Sequence, residues 1–387
     1  MPETVLCLNS GSSSLKFAVY GVGRHEARLA YGAAERIAQP NGRFWARTPT
    51  ADVTDGAADF DGHAAAARRI FAVLKQHGLD APKAVGHRVV HGGPDYSSAQ
   101  RVDEKLLSAL RRLVPLAPLH LPSEIEIIEA VAHDRPSIPQ VACFDTAFHR
   151  RMPETAQRLP LPRDLWADGV RRYGFHGLSY ESVVSTLGDA AAGRVIIAHL
   201  GNGASLAALR DAHPIDTTMG LTPLGGVIMG TRPGDLDPGV LLYLMEAKRH
   251  DARSLGMLLN DHSGLRGISG STSDMKTLLE TRENDPRAAE AVEMFCTSVR
   301  KHIGAFAALL GGVDTLVFTG AIGERAAPVR SEICRHLGHL GIELDASKND
   351  DDAEVVSVPS TPCTVRVVPT NEELMIARQT AGTIGLC

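Results

Sequence analysis

Short apolar runs that end in polar residues recur along this chain and predict the buried strands of a sheet. Residues 5–20 comprise an apolar run, a polar turn and a second apolar run, which predicts a β-hairpin. Residues 195–209 repeat the same order around a glycine-rich turn, with Gly11 equivalent to Gly201. The repeat indicates an ancient internal duplication.

Further strands and helices follow from the same patterns. Apolar or β-branched runs predict strands at 84–90, 140–144, 315–319 and 365–368. Helical patterns occupy 62–77, 104–113, 123–132, 286–310 and 372–379. Strands that alternate with helices predict an α/β fold. We expect function at the polar ends of the strands.

Four loops have the composition that holds phosphate groups. They are NSGSSSLK (9–16), HLGNG (199–203), GTRPGDLDPG (230–239) and GAIGE (320–324). Glycine and small hydroxyl residues leave backbone N–H groups open to anionic oxygens, and Gly201 and Gly203 would permit positive φ and close backbone approach. Each loop alone could be an ordinary polar turn. Together they predict an enzyme that uses a nucleotide.

Composition limits the class of protein. With 387 residues, 44% of them hydrophobic, the chain predicts two domains, and the proline-containing segment 150–168 is a candidate boundary. The balance of 40 Lys and Arg against 45 Asp and Glu, without basic runs, disfavours nucleic acid and membrane partners. Six cysteines without CxxC spacing disfavour zinc and a disulfide framework. We expect reduced thiols and, since no signal peptide or membrane-spanning segment is evident, a cytoplasmic protein.

Two arginines occur in unusual settings. Arg88 lies inside an apolar strand, where a bound carboxylate or phosphate would offset its burial, and Arg232 lies between glycine and proline. The pair suggests an anion clamp, although a structural ion pair with an acidic side chain would also explain Arg88. His87 and His91 are too far apart along a strand to ligate one zinc ion.

Acids and histidines near strand ends are catalytic candidates. Asp145 directly follows a predicted strand and is a candidate for catalysis or for a helix cap. His176 lies in a glycine-flanked loop and is a candidate for catalysis or for a buried core histidine. His120 has the same ambiguity. Glu372 could stabilise the N-terminus of a helix that Thr370 or Asn371 caps, or it could ligate magnesium.

Eight motifs in this order resemble the acetate kinase family over nearly the whole chain. They are NSGSSSLK (9–16), HRVVHGG (87–93), APLH (117–120), FDTAFH (144–149), RYGFHG (172–177), HLGNGAS (199–205), GTRPGDLDPG (230–239) and TNEELMIAR (370–378). The resemblance implies two duplicated domains of the acetate and sugar kinase/actin-like (ribonuclease H-like) fold with an interdomain active-site cleft. It implies an N-terminal domain at 1–148, completed by the C-terminal helix at 374–387, and a second, nucleotide-binding domain at 149–373. It also implies a homodimer.

The resemblance also implies a role for each matching residue. The expected catalytic residues are Asp145, His176, Arg232 and His120, and the expected substrate-binding residues are Arg88 with the apolar Val90, Leu119, Phe175 and Pro223. ATP would contact Lys16, Ser12, His199, Leu200, Gly201, Asn202, Gly203, Asp274, Met275, Lys276, Gly320, Ala321, Ile322, Gly323 and Glu324. Asn9 and Glu372 would hold Mg²⁺, for which Mn²⁺ could substitute. Acetate and ATP would be the substrates.

A carboxylate acceptor is already ionised near neutral pH and needs no general base. The chemical problem is repulsion between the acceptor and the γ-phosphate, which Arg88, Arg232, His176 and Mg²⁺ would relieve. This favours direct in-line transfer to acetate over a phosphohistidine intermediate at His176.

The chain departs from the family pattern at four places. Leu121 stands where asparagine is common, Gly225 where glutamate is common, Ala321 where glycine is common and Lys276 where arginine is usual. Because of Ala321 and Lys276, GTP and pyrophosphate stay alternatives to ATP as the phosphoryl donor. The alternatives are propionate kinase, a catalytically silent metabolite-binding relative and, more remotely, an actin-like or chaperone ATPase.

Overall fold

A computed structural model describes residues 3–11, 13–23, 26–79 and 81–386. The strands are β1 (Glu3–Ser10), β2 (Ser14–Val22), β3 (Ala27–Glu35), β4 (Arg43–Arg47), β5 (Asp52–Ala57), β6 (Ala84–Val89), β7 (Gln100–Arg101), β8 (Gln140–Phe144), β9 (Arg194–Leu200), β10 (Ala204–Arg210), β11 (His213–Thr217), β12 (Thr315–Thr319) and β13 (Thr364–Val367). The helices are α1 (His63–Gln76), α2 (Glu104–Leu113), α3 (Leu121–Asp134), α4 (Glu154–Gln157), α5 (Asp164–Ala167), α6 (Gly177–Leu187), α7 (Pro238–Glu246), α8 (Ala252–Asp261), α9 (Gly264–Ser269), α10 (Met275–Thr281), α11 (Pro286–Leu310), α12 (Gly320–Arg325), α13 (Ala327–Cys334), α14 (Ala346–Asp350) and α15 (Glu372–Ile384). The alternation confirms the predicted α/β class.

The chain divides into two compact units, Met1–Phe148 with Asn371–Cys387, and His149–Thr370. The sheet of the first unit has the strand order β5-β4-β3-β2-β1-β6-β8-β7. In this sheet β1 pairs antiparallel with β2 and parallel with β6, and β6 pairs parallel with β8. The predicted first hairpin is thus confirmed as β1 and β2.

The sheet of the second unit has the order β11-β10-β9-β12-β13. Here β9 pairs antiparallel with β10 and parallel with β12, and β12 pairs parallel with β13. This repeats the order and the directions of the five strands β3-β2-β1-β6-β8 of the first unit. The two sheets support the internal duplication that the sequence indicates.

The last helix, α15, packs on the sheet of the first unit against β1, β6 and β8. A side chain at Gly86 on β6 would place its Cβ 2.2 Å from Thr380 Oγ1 and 2.5 Å from Ile376 Cγ2. Only glycine therefore allows this helix to approach the strand so closely. The approach fixes the start of α15, and with it Glu372, relative to the sheet.

The longest helix of the second unit is α11, and its predicted bounds are confirmed. Asp285 caps it by accepting the N–H of Arg287, Pro286 occupies the first turn, and Gly311 ends it with a left-handed conformation. Its buried face includes Phe295, Val299 and Ile303, and it packs on β9 and β10. Within the described ranges, no helix combines the length and the apolar character needed to cross a bilayer.

The sequence reasoning did not predict β3, β4, β5, β7 and β11. The strand β3 is rich in alanine and glycine, which carry little strand signal, and β4 and β5 form a partly exposed antiparallel pair at the sheet edge. Their pairing is set by neighbouring strands more than by their own composition.

Candidate active site

Three parallel strand ends in the first unit bring predicted site residues together. Asn9 is the penultimate residue of β1, Arg88 of β6, and Asp145 directly follows β8. Because these strands are parallel neighbours, their carboxyl ends share one edge of the sheet, where α/β proteins commonly bind ligands. The fold therefore gathers three candidates that are far apart in sequence.

Arg88 and Asp145 form a close ion pair. Arg88 Nη2 donates to Asp145 Oδ2 at 2.6 Å, and Nε lies 3.2 Å from Oδ1. The Asp145 side chain is fully buried and that of Arg88 is 14% exposed. The ion pair that the sequence analysis gave as the alternative explanation of Arg88 is therefore present. The helix-cap alternative for Asp145 is wrong, because the next helical turn begins only at Phe148.

The same pair keeps the guanidinium charged. Burial acts to lower the pKa of Arg88, but the negative charges of Asp145 and Glu372 outweigh it and raise that pKa above its usual value. Arg88 Nη1 also lies 3.3 Å from Asn9 Oδ1 and 3.5 Å from the Ser10 carbonyl oxygen. Asp145 thus holds a permanent positive charge in a fixed orientation at the sheet edge.

Oxygen atoms of α15 converge on Asn9. Asn9 Nδ2 donates to Glu372 Oε2 at 2.8 Å and to Glu373 Oε1 at 3.1 Å. Asn371 caps the helix by accepting the N–H of Leu374 at 3.1 Å, as predicted, so the Glu372 carboxylate is not needed for capping. The first unit therefore places an amide and two carboxylates side by side.

This donor set suits a hard divalent cation. Mg²⁺ keeps several waters and usually takes only one or two protein carboxylates, so the Asn9 amide oxygen and the Glu372 carboxylate are donors of the right kind. In the structure Asn9 Nδ2 faces Glu372 and Oδ1 faces Arg88 Nη1, so both oxygens would face one cation only after the Asn9 amide turned. Among the described residues, no group of three or more His, Cys, Asp or Glu side chains could hold a metal. The arrangement fits Mg²⁺ or Mn²⁺ shared with a phosphate ligand more closely than an ion enclosed by protein.

Glu124 is a buried acid that the sequence analysis missed. It lies on α3, 2% exposed, and its Oε2 accepts the N–H of Val90 at 3.0 Å. Burial raises the pKa of Glu124 to about 8, although the Arg88 charge and the Val90 hydrogen bond act to lower it. Its presence on the same helical face as Ile127 and Ile128 is the signal that could have revealed it.

The raised pKa gives a stability prediction for the first unit. The folded protein binds the Glu124 proton more tightly than the unfolded chain, in which Glu124 has its ordinary pKa of 4.5. The contribution of this proton to the free energy of unfolding is therefore complete below about pH 4.5 and is lost as the pH rises towards 8. Glu124→Gln should remove this loss, which amounts to about 1.4 kcal/mol per pH unit within that range. Urea unfolding in a Trp166→Phe background, where Trp45 reports on the first unit, measures it.

The matched control is Glu129→Gln on the same helix, where Glu129 forms an exposed ion pair with Arg111. Its unfolding free energy should keep the wild-type slope against pH. Parallel slopes for wild type and Glu124→Gln between pH 5.5 and 8 would contradict a protonated Glu124.

The predicted phosphate loop of the first hairpin is only partly described. Lys16 lies directly across from Asn9 in the β1–β2 register, with an exposed side chain. Gly11 N–H donates to the Ser14 carbonyl at 2.8 Å, and the carbonyl of Gly11 lies 3.0 Å from His63 Nε2. Ser12 lies outside the described residues.

The remaining candidates of the first unit lie near α3. His120 is the residue before α3, and its carbonyl accepts the Ser123 hydroxyl at 2.8 Å. Val90 follows β6 and is buried, and Leu119 is half-buried. Glu124 holds the Val90 peptide, which places this apolar side chain next to the Arg88 strand end.

In the second unit the repeated hairpin brings two histidines together. His199 lies on β9, directly across from Ser205 of β10, and its ring stacks on that of His176 with centroids 4.3 Å apart. His176 precedes α6 in a left-handed conformation, with φ 58°. A non-glycine residue rarely adopts this conformation, so the backbone is strained where a catalytic candidate stands.

Arg232 approaches the turn of this hairpin. A Cβ at Gly203 would lie 2.6 Å from Arg232 Nη2 and 3.3 Å from His176 Nε2, so only glycine leaves room for both side chains. Gly201 and Gly203 are not among the glycines with positive φ, so that part of the expectation is wrong, and the close approach of their backbone to a ligand stays a prediction. Arg232 Nη1 donates to the Pro223 carbonyl at 2.6 Å, which fixes the guanidinium beside the imidazole.

The neighbouring loops of the second unit are joined through their backbones. Gly230 N–H donates to the Asn202 carbonyl at 3.0 Å, which links the Arg232 loop to the hairpin turn. Leu200 is buried, and its carbonyl oxygen would lie 2.7 Å from a Cβ at Gly320. Pro223 and Phe175 are both buried in this unit.

The loop at 320–324 is held from two sides. Glu324 Oε1 accepts the N–H groups of Gly320 at 2.9 Å and Thr370 at 3.2 Å. Arg330, which is fully buried, donates to the carbonyls of Gly323 and Glu324 at 2.9 and 3.0 Å. Ala321 is exposed and Ile322 half-buried on the loop surface. The structure thus uses Glu324 and Arg330 to shape the loop.

Residues 274–276 begin α10. Asp274 caps the helix, and its hydrogen bond from the Thr277 hydroxyl lowers the pKa of Asp274. Met275 is buried, whereas the Lys276 side chain is 83% exposed and lies 3.9 Å from Glu280. The ATP contact expected of Lys276 therefore stays a prediction, on a side chain that lies at the surface.

Comparison with known proteins agrees with this fold. The model of the acetokinase family matches residues 4–378. An acetate kinase of Rhodopseudomonas palustris (strain CGA009) is 44% identical, with 98% of each chain covered. The crystal structure of Porphyromonas gingivalis acetate kinase has a TM-score of 0.86 at 38% identity, covering 99% of this chain and all of the other. A propionate kinase from Francisella tularensis has a TM-score of 0.90 at 35% identity, covering 97% and 98%.

Two sheets that share a five-strand order, together with the likeness to solved acetate and propionate kinases, define an α/β phosphotransferase of the actin-like kinase fold, which confirms the predicted fold class. The chain belongs to the acetokinase family.

Proposed function

We propose that this protein is an acetate kinase, which transfers the γ-phosphoryl group of ATP to acetate reversibly and with Mg²⁺, giving acetyl phosphate and ADP. The observation that carries the proposal is the match to curated acetate kinases over 98% of the chain. The Arg88–Asp145 pair supplies the matching chemistry, a rigid cation for a small carboxylate. ATP and acetate are cytoplasmic metabolites, which supports a cytoplasmic location.

In this proposal Arg88 binds the acceptor carboxylate. Asp145 holds Nε and Nη2, so the guanidinium is oriented before the acceptor arrives and little entropy is lost on binding. Asp145 then acts by positioning Arg88, because an ionised acceptor requires no base.

Arg232 and His176 are assigned to the transferring phosphoryl group. Their side chains meet beside Gly203, and hydrogen-bond donors held in this way stabilise charge on equatorial phosphoryl oxygens. His120 would assist at the transferring phosphoryl group. Mg²⁺, held by Asn9 and Glu372, would neutralise phosphate charge when bound.

ATP is assigned to the glycine-rich loops. Backbone N–H groups of 199–203 and 320–324 would receive phosphate oxygens or the ribose, with Lys16 and Ser12 at the phosphates and residues 274–276 near the nucleoside. Lys276 and Ala321 leave the donor open among ATP, GTP and pyrophosphate.

Acceptor size is assigned to Val90, Leu119, Phe175 and Pro223. One methylene changes binding to apolar side chains by only about 1–3 kcal/mol, so propionate is the second candidate acceptor. The likeness to a propionate kinase structure supports propionate as this second candidate.

The decisive experiment measures acyl phosphate, trapped with hydroxylamine, from acetate, propionate and butyrate, each with ATP, GTP or pyrophosphate. We expect acetate with ATP and Mg²⁺ to give the highest kcat/KM, with propionate about 10- to 200-fold lower. A higher kcat/KM with propionate would make the protein a propionate kinase. ATP hydrolysis without any acyl phosphate would support the ATPase alternative and refute the proposal.

Direct transfer is tested by stereochemistry at phosphorus. A single in-line displacement inverts a chiral isotopically labelled γ-phosphoryl group, whereas two displacements through a phosphohistidine retain its configuration. We expect inversion and no labelled phosphate trapped on His176.

We also propose a homodimer formed through α7. Among the described residues, a cluster of large apolar side chains is exposed on and around this helix: Leu236, Val240, Leu242, Tyr243, Met245 and Met257. Such a patch marks an interface more often than a free surface, and a self-complementary patch gives a two-fold dimer.

Leu242→Glu should therefore convert the dimer into a monomer. The Leu242 side chain is 60% exposed, and a charge there would be buried unpaired in the interface. Size-exclusion chromatography with light scattering at micromolar concentration measures the mass. The control is Leu309→Glu on α11, 51% exposed outside the patch, which should leave the mass unchanged. A dimer that survives Leu242→Glu would place the interface elsewhere.

A further inference from the structure

His176 has different surroundings at its two ring nitrogens. Nε2 faces Gly203, where it would lie 3.3 Å from an added Cβ, beside Arg232 Nη2. Nδ1 lies 2.8 Å from Ser205 Oγ on β10. Nε2 is therefore the nitrogen on the side of the proposed phosphoryl site, and Nδ1 faces the protein interior.

Ser205 is itself bound by a second hydroxyl. Tyr180 Oη lies 2.6 Å from Ser205 Oγ, and both side chains are fully buried. Tyr180 is four residues after His176, so the two side chains share one face of the start of α6. The result is a chain of two hydroxyls, Tyr180–Ser205, that ends on Nδ1 of His176.

The chemistry of the hydroxyls sets the direction of this chain. A phenol is the stronger acid and the weaker acceptor, because its oxygen lone pair is delocalised into the ring, so acidity favours Tyr180 as the donor in its contact with Ser205, a contact whose distance allows either direction. With Tyr180 as its donor, Ser205 gives its one hydrogen to His176 Nδ1, the other group that it contacts. A neutral imidazole that accepts at Nδ1 carries its proton at Nε2.

The second histidine supports a neutral ring. The His176 and His199 rings are stacked with an interplanar angle of 23°, and the Arg232 guanidinium reaches the same point beside Gly203. Two imidazolium ions at this separation beside a guanidinium would repel strongly in a buried site. Ser179, adjacent to Tyr180, lies 2.8 Å from His199 Nδ1, so α6 contacts the His199 ring directly through a hydroxyl and reaches the His176 ring only through Ser205.

We propose that Tyr180 and Ser205 are positioning residues that hold the proton of His176 on Nε2, so that His176 presents an N–H donor and not a nucleophilic nitrogen. The inference rests on the proposed phosphoryl transfer. An N–H donor stabilises oxygens of the transferring group, whereas an Nε2 that carries a proton has no lone pair with which to attack phosphorus. The hydroxyl chain therefore selects direct transfer over a phosphohistidine.

The tautomer is measured by ¹H–¹⁵N NMR of protein labelled in histidine, with the His176 signals identified by their loss in His176→Asn. In the wild-type protein we expect a protonated Nε2 and an unprotonated Nδ1. This readout needs no turnover, so it stands even if acetate proves to be the wrong acceptor. A wild-type ring protonated at Nδ1 alone would overturn the proposal.

Tyr180→Phe removes the first donor and keeps the ring. We expect a mixture of the two tautomers and a kcat about 3- to 10-fold lower, the size of one hydrogen bond, with KM for ATP and acetate within about 2-fold of wild type. Ser205→Ala should give the same change of tautomer if Tyr180→Phe does not fold. The control is Tyr173→Phe, whose buried hydroxyl donates to the Gly169 carbonyl at 2.8 Å and should leave the tautomer unchanged. An unchanged His176 spectrum in both Tyr180→Phe and Ser205→Ala would also refute the proposal.

Discussion

Replacing Arg232 by alanine is expected to lower kcat for acyl phosphate synthesis by about 10²- to 10³-fold, the usual cost of removing one fixed donor from a developing oxyanion. The guanidinium is 7% exposed, fixed by the Pro223 carbonyl and directed at the same point as His176 Nε2. Because its charge meets the phosphoryl group mainly in the transition state, KM for acetate should change much less. Steady-state kinetics in both directions measure the effect.

Arg232→Lys separates charge from geometry. Lysine keeps the charge but cannot reproduce the two-pronged contact, so it should recover only part of the lost rate. Arg194→Ala is the control: Arg194 pairs with Asp314 at the opposite end of β9 and should keep wild-type kcat. If Arg232→Ala retains more than about one tenth of wild-type kcat, Arg232 does not have the role we assign.

Arg330→Met is expected to destabilise the second unit by about 3–5 kcal/mol, the cost of breaking a buried charged network. Besides the carbonyls of the 320–324 loop, Arg330 donates to Asn349 Oδ1 at 2.7 Å, to the Asn349 carbonyl at 2.6 Å and to Asp352 Oδ1 at 2.6 Å. Methionine fills a similar space but leaves these acceptors without donors. The 320–324 loop, which we propose binds ATP, should loosen at the same time, and KM for ATP should rise.

Urea unfolding in a Trp45→Phe background isolates the second unit, because Trp166 is then the only tryptophan. Arg335→Met is the matched control on the chain just after α13, where Arg335 is 60% exposed and lies 3.6 Å from Glu332. It should change the unfolding free energy by less than about 0.5 kcal/mol. Equal destabilisation by the two substitutions would show that the network around Arg330 contributes no more to the unfolding free energy than an exposed ion pair does.

The secondary structure was predictable where a local pattern was strong. Helices α2 and α11 and strands β8 and β12 have the predicted bounds, because amphipathic periodicity, an aspartate cap and short buried apolar runs all act within a few residues. The alanine-rich β3 was missed because its strand conformation depends on pairing with β2 and β4. Local propensity is weak there, and tertiary pairing decides.

The site was predictable as a set of residues but not as a set of contacts. The sequence identified Arg88 and Asp145 separately, and only the parallel alignment of β6 and β8 makes them partners. Glu124 was missed because a charged residue within a helical pattern reads as an exposed one, and Arg330 was missed because no helix was predicted at α13. Their burial became evident only with the elements packed on them.

The sequence by itself determined the family, the α/β alternation, the duplicated hairpins and the identity of the charged groups, because motifs and periodicity are properties of neighbouring positions. The tertiary structure alone decided which groups meet, how the raised pKa of Glu124 arises, and which nitrogen of His176 faces Arg232. These properties depend on through-space distance and on exclusion of water, which are set when strands and helices far apart in the chain pack together.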